Sequence, residues 1–171
     1  MATLYDQIIL TELEEHAVNA LKIVEPTIQR LAFVSDLSGG RFAVVSLKNH
    51  PKPYPLQSMG DGINRILSII LAMVNCEGGV LLIDEFENGL HHTVQEQLWK
   101  VIFSLADQLD IQVFATTHSN DCIRVFEEVL NSSEDYTGKL IRLEREGTMI
   151  KTVDIDADEL EILTQHNIEI R

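Results

Sequence analysis

The chain has 171 residues, 45% apolar and 23% charged, a composition that suits one folded domain with a real core and excludes a disordered chain. Its formal net charge of -14 excludes a free chain that wraps nucleic acid by itself, because phosphate binding needs a basic footprint; nucleic acid enters only within a larger assembly. The two cysteines, Cys76 and Cys122, form no CxxC and suggest neither a disulfide framework nor a zinc site, so a reducing cytoplasm is expected. The N-terminus carries acids and lacks the basic-then-apolar order of a signal peptide. No apolar run approaches the roughly 18 residues that span a bilayer.

Met1 to Leu10 reads as an extended lead-in. Thr11 is a good helix N-cap, and Glu14 three residues on would complete a capping box. Leu13, Ala17, Ala20, Leu21 and Val24 follow helical spacing until Pro26 stops them. Ile28 to Val34 and Arg41 to Leu47 read as two strands of an antiparallel hairpin, turned by Ser35 to Gly40. Lys48 to Pro55 holds three of the four prolines and reads as a loop.

In Leu56 to Leu67, Gly60 and Gly62 precede a strongly apolar helix from about Ile63 to Val74. A glycine-rich turn into a helix N-terminus presents unpaired backbone N–H groups and a positive dipole end, which is a ready anion site; Ser58 can add a hydroxyl. An ordinary tight turn has the same composition.

Gly78 to Leu90, GGVLLIDEFENGL, organises the rest of the chain. Val80 to Ile83 is a continuous apolar run, as in a strand buried on both faces, and it runs straight into Asp84 and Glu85. Open α/β sheets place ligands outside the carboxyl ends of their strands. Adjacent acids there suit a magnesium nucleotide, one holding the ion or its waters and the other orienting an attacking water. A solvated acidic turn is the plainer alternative.

A helix over roughly Thr93 to Leu109 follows, its buried face formed by Val94, Leu98, Val101, Ile102 and Leu105. His91 and His92 lack a third metal ligand at a sensible spacing. Ile111 to Thr116 reads as a second strand. It places His118 at the same sheet edge as the acids, where an imidazole can sense a terminal phosphate. Ser119 and Asn120 are good caps for a helix over Asp121 to Leu130. A polar loop, a hairpin turning at Glu146-Gly147 and a short acidic helix over about Ala157 to Gln165 complete the chain. The alternation of helix and strand predicts an α/β fold with a parallel or mixed sheet and helices on its faces.

The motif order is a glycine turn and helix, a strand ending in DE, a loop with NGLH and a strand ending in THS. It resembles the C-terminal half of ABC-class ATPases, the group of transporter nucleotide-binding domains, SMC proteins and DNA-repair ATPases. It is most similar to bacterial stand-alone "AAA family" ATP-binding proteins related to the overcoming-lysogenization-defect ATPases, in which SMGDG-x-x-R, LLIDE-x-ENGLH and ATTHS follow one another. The resemblance extends to the final Glu169-Ile170-Arg171.

The resemblance implies a partial P-loop NTPase fold forming a single domain over 1–171, with ATP and Mg²⁺ as cofactors. Strand 80–85 would be Walker B, with Asp84 near Mg²⁺ and Glu85 polarising the attacking water. Residues 88–91, beginning at Asn88, would match the D-loop at a homodimer interface. His118 would be the switch histidine at the γ-phosphate. Residues 58–62, with Ser58, Gly60, Asp61 and Gly62, would be the signature motif contacting the opposite subunit's nucleotide. The usual LSGGQ is altered: if Asp61-Gly62 aligns with the paired glycines, Gly60 replaces the serine and Ser58 is displaced by two positions. Which hydroxyl reaches a phosphate stays open.

No G-x-x-x-x-G-K-[ST] occurs anywhere in the chain. Without it there is no backbone cradle and no lysine for the β- and γ-phosphates. The expected function is therefore an ATPase module that needs a separate Walker A lobe and dimerisation, inactive alone. The alternatives are a non-catalytic interaction module on the same fold, and an unrelated metal-dependent α/β hydrolase using Asp84, Glu85, His91 and His118.

Overall fold

Helix α1 (Ala2–Ile8) occupies the segment that the sequence predicts to be extended. The computed structural model describes residues 1–165, apart from the side chains of Asp61, His92, Thr93, Asp158, Glu161, Leu163 and Gln165. Glu169-Ile170-Arg171 lies outside the described residues. Tyr5 and Ile8, three apart, share one face of α1 and are buried, so tertiary packing wins over the local pattern. The Tyr5 hydroxyl lies 2.8 Å from the Leu31 carbonyl oxygen and 2.5 Å from Glu14 Oε1, two acceptors for its one proton. Burial and the Glu14 carboxylate both push its pKa up.

Helix α2 (Glu12–Val24) starts at Thr11, but the expected capping box is redrawn. The Thr11 hydroxyl donates back to the Ile8 carbonyl at 2.5 Å, and Glu14 accepts from the Leu10 N–H at 2.8 Å. Glu14 thus accepts from the N–H one residue upstream of Thr11, and the Thr11 hydroxyl caps no N–H of α2.

Strands β1 (Ile28–Ser35) and β2 (Arg41–Leu47) pair antiparallel, and a two-residue β3 (Tyr54–Pro55) adds to β2. A 3-10 turn over Leu56–Met59 leads to α3 (Asp61–Val74). Strand β4 (Val80–Ile83) and β5 (Gln112–Ala115) pair parallel, joined through α4 (His92–Gln108). Helix α5 (Asn120–Leu130) precedes the antiparallel pair β6 (Leu140–Glu146) and β7 (Met149–Ile155), and α6 (Ala157–Gln165) ends the described chain. The described strands form three separate sheets: β1-β2-β3, β4-β5 and β6-β7. The α/β class and both hairpins match the sequence reading.

The core is built on α3. Ile66, Leu67, Ile70, Leu71, Met73 and Val74 are fully buried among α1, α2 and α4. Each large side chain taken out of water there contributes about 1.5–3 kcal/mol before entropy is counted. From α4, Leu98, Val101, Ile102 and Leu105 face inward, as their spacing predicts. Ile123, Ile155 and Leu160 form a small satellite core under α6.

A further expectation fails at β4. Strand β4 is not buried on both faces: Val80 is 54% and Leu82 75% exposed, and Phe114 beside them on β5 is 47% exposed. Successive strand residues face opposite sides, and only the Leu81 and Ile83 side meets the core. Among the described residues no third strand joins β4-β5.

Candidate functional site

Glu85 has φ +48°, the left-handed region that residues with a Cβ rarely enter. The chain thus leaves β4 through a sharp turn at the paired acids. Thr116, the residue after β5, holds that turn. Register places Ile83 beside Ala115, so Asp84 and Thr116 emerge together at the carboxyl end of the parallel pair. The Thr116 hydroxyl donates to Asp84 Oδ1 at 2.6 Å and accepts from the Glu85 N–H at 2.9 Å. The Thr116 N–H donates to the Ile83 carbonyl at 2.9 Å, and its carbonyl accepts from the Phe86 N–H at 2.8 Å.

A second tie comes from α3. Arg65 Nη2 donates to the Glu85 carbonyl at 2.7 Å and lies 3.3 Å from the Asp84 carbonyl oxygen. Phe86, fully buried, stacks on Trp99 of α4 with ring centroids 4.0 Å apart and 9° between planes. These contacts offset the strain of a left-handed glutamate, which is on the order of 1–3 kcal/mol.

Both acids are exposed. Asn88 Nδ2 donates to Glu85 Oε2 at 3.1 Å, so the loop after the turn orients the glutamate carboxylate. Glu87 points to the other strand. Its carboxylate accepts from the Thr117 hydroxyl at 2.7 Å and from the His118 N–H at 2.9 Å. Partial burial raises its pKa, but these hydrogen bonds together outweigh that and hold the carboxyl below its ordinary value. The Ser119 N–H donates to the Thr117 hydroxyl at 3.1 Å, and Ser119 caps α5 by accepting from the Cys122 N–H at 3.2 Å. The His118 side chain is exposed at this edge. Burial pushes the neighbouring Cys122 thiol up to about 11, an inert packing thiol.

The predicted site residues are thus brought together in part. Asp84, Glu85, Asn88 and the His118 backbone share one hydrogen-bonded edge. The glycine turn lies against the loop of that edge: a Cβ built on Gly62 would meet Leu90 Cδ2 at 3.8 Å and Gly89 O at 3.9 Å. Those are ordinary contacts, so packing does not demand glycine at 62. Gly60 does need it, with φ +109° at the start of α3. Ser58 lies exposed on the 3-10 turn, and the side chain of Asp61 is outside the described residues. His91 is exposed just before α4. A cleft of about 570 Å³ between α3 and the outer edge of β4 is lined by Arg65, Ser68, Leu82, Asp84 and Asn88. A larger cavity of about 930 Å³ runs along the other side, between β5 and the start of β6, and includes Val113, Ala115, Thr137 and Leu140.

Arg65, Glu87 and Thr116 fall inside the quoted motif strings, as the arginine of SMGDG-x-x-R, the second glutamate of LLIDE-x-ENGLH and the first threonine of ATTHS, but the sequence reading gives them no role. What each of them holds is reached only through strand register and packing.

The chain matches the AAA ATPase domain family over residues 6–123. It is 28% identical over 126 residues to the ATP/GTP phosphatase of Helicobacter pylori, a match covering 72% of this chain and 33% of that protein. The chain thus spans about a third of that relative's length. Among solved structures, an SMC ATPase described for ATP-driven dimerization and DNA-stimulated activation superposes with TM-score 0.60 at 11% identity, over 93% of this chain and 92% of that one. An Smc head bound to the C-winged helix domain of ScpA gives TM-score 0.58 at 11% identity, over 86% of this chain and 43% of that one. At that identity the likeness is one of fold. Among the described residues no helix is long and apolar enough to cross a membrane. Taken together with the acid-tipped parallel strand pair, the matches establish that the chain belongs to the AAA ATPase domain family and carries the fold of an SMC ATPase head.

Proposed function

We propose that this chain is the hydrolytic C-terminal lobe, residues 1–171, of a cytoplasmic ABC/SMC-class ATPase whose Walker A lobe is supplied elsewhere, on the same polypeptide or on a partner. The observation that carries the reading is the Thr116 bridge. One hydroxyl joins the Asp84 carboxylate to the Glu85 backbone and fixes both at the edge that also bears His118. In this reading Asp84 holds Mg²⁺ or its water shell, Glu85 polarises the attacking water, and His118 meets the γ-phosphate. Ser58 to Gly62 and Asn88 to His91 face the opposite subunit of a homodimer.

The donor set fits magnesium that arrives with a nucleotide. Mg²⁺ keeps several waters and takes one or two carboxylates plus phosphate oxygens. Asp84 offers an exposed carboxylate of that kind. When bound, the ion would neutralise charge developing on the phosphates. Among the described residues no group of three or more His, Cys, Asp or Glu gathers to hold a metal.

The bare apolar side of β4-β5 and the cavity along β5 support a missing lobe. Val80, Leu82 and Phe114 are a poor surface for water but a good one for a packed layer. The absent G-x-x-x-x-G-K-[ST] also favours a second reading, a non-catalytic module that dimerises through the same surfaces. The test is reconstitution. Combined with its Walker A lobe, the chain is expected to hydrolyse Mg-ATP, and Glu85→Gln to abolish that turnover. Turnover that survives Glu85→Gln would refute the assignment; no nucleotide binding at millimolar Mg-ATP, alongside a stable dimer, would favour the second reading.

A further inference from the structure

We propose that Glu87 is a positioning residue that ties the switch histidine to the loop over Asn88 to His91. The inference rests on the ATPase reading above. Three acids lie within four residues, Asp84, Glu85 and Glu87, in a chain of formal net charge -14. Repulsion alone would splay them into solvent. Each instead has its own donor: Thr116 for Asp84, Asn88 for Glu85, and the pair Thr117 and His118 for Glu87.

Glu87 differs from the other two in how it is used. Both of its oxygens are engaged, Oε2 by a hydroxyl and Oε1 by a backbone N–H, with donors 30 and 31 residues away in sequence. It is also the half-buried member of the three. Hydrogen bonds to an ionised carboxylate are shorter and stronger than neutral ones. The His118 N–H is the backbone group that sets where its imidazole starts. Phe86, stacked on Trp99, anchors the residue before Glu87, and the Leu90 N–H donates to the Glu87 carbonyl at 3.0 Å. Glu87 is therefore fixed at both ends: its backbone belongs to the loop, and its side chain holds the histidine segment. Thr116 already ties the turn at Asp84 to Phe86 to the start of this segment, and the Glu87 carboxylate adds the tie that reaches the His118 backbone itself, through which displacement of the Asn88–His91 loop by an opposing subunit would move His118. The residue touches no reacting atom; it acts by orientation.

Two measurements test this. In the isolated chain, amide spectra of Glu87→Ala and the near-isosteric Glu87→Gln are compared with the parent. The His118 amide is expected to shift and lose hydrogen-exchange protection while core amides of α3 stay unchanged. In the reconstituted ATPase, Glu87→Ala is expected to lower kcat about ten- to a hundredfold, the size of one lost charged hydrogen bond, with KM for Mg-ATP changed less than about twofold. Glu87→Gln, which keeps one acceptor oxygen, should fall between, and it replaces the alanine variant if that fails to fold. An unmoved His118 amide, or a moved amide with unchanged kcat, overturns the proposal. Glu85→Gln in the same preparation separates the two levels: hydrolysis that survives it contradicts the ATPase reading itself, and this inference falls with it.

Discussion

Helix α3 and strand β4 are the two most apolar stretches of the chain, and they meet opposite fates. From Ile66 to Val74 the helix is enclosed on nearly every side by α1, α2 and α4. Val80 to Ile83, only a short turn later, buries one face and leaves Val80 and Leu82 to water. Composition alone does not distinguish them. A helix hydrophobic nearly all round is a core helix and finds its neighbours within this domain. A strand hydrophobic on both faces belongs in the middle of a layered sheet, and here only one layer is present among the described residues. The apolar excess of β4 is thus costly in this chain alone, and in the proposed ATPase the second lobe would cover it.

That contrast is open to attack by substitution. Leu71→Ala in α3 is expected to destabilise the isolated chain by about 2–5 kcal/mol, since the side chain is fully buried and the cavity cannot collapse freely. Urea unfolding followed by circular dichroism reads this, and a loss below about 1 kcal/mol would mean α3 is not the centre of the core. At the junction of the two regions, Thr116→Val removes the hydroxyl that bridges Asp84 and Glu85. The loss should be about 1 kcal/mol, because water can reach the freed groups at this exposed edge. The same denaturant curves check it. Leu82→Thr should change the stability of the isolated chain by no more than about 0.5 kcal/mol, because Leu82 already faces solvent. On the proposed function it should nevertheless weaken association with the proposed Walker A lobe, read by titration calorimetry. Equal association by parent and variant would remove the bare face from the docking surface.

Much of the candidate site was legible as a set of residues but not as an arrangement. Asp84, Glu85 and His118 stood out because the acids and the imidazole end two predicted strands within one motif order; taken alone, the acids also fit a solvated turn. What binds them together did not stand out. Thr116 reads as an ordinary strand residue until β4 and β5 are aligned, and Glu87 reads as one more surface acid in an acidic loop. The N-terminus failed for a related reason: α1 buries Tyr5 and Ile8 against α2, α3 and β2, distant segments that a local reading does not include. The glycine turn was legible in type, and the φ of +109° at Gly60 explains one glycine, while Gly62 has no steric need of its own.

The sequence by itself determined the order of elements from α2 onward, the apolar helix α3, the acid-tipped strand and the lack of a phosphate loop. Periodicity and punctuation are local, and each can be read from a dozen residues. Only the tertiary structure decided which groups meet at the sheet edge, how a left-handed Glu85 is held, and which face of β4 is covered. Those depend on register and on packing between segments some thirty residues apart. No window of sequence contains both partners of the Thr116 bridge or of the Glu87 clasp.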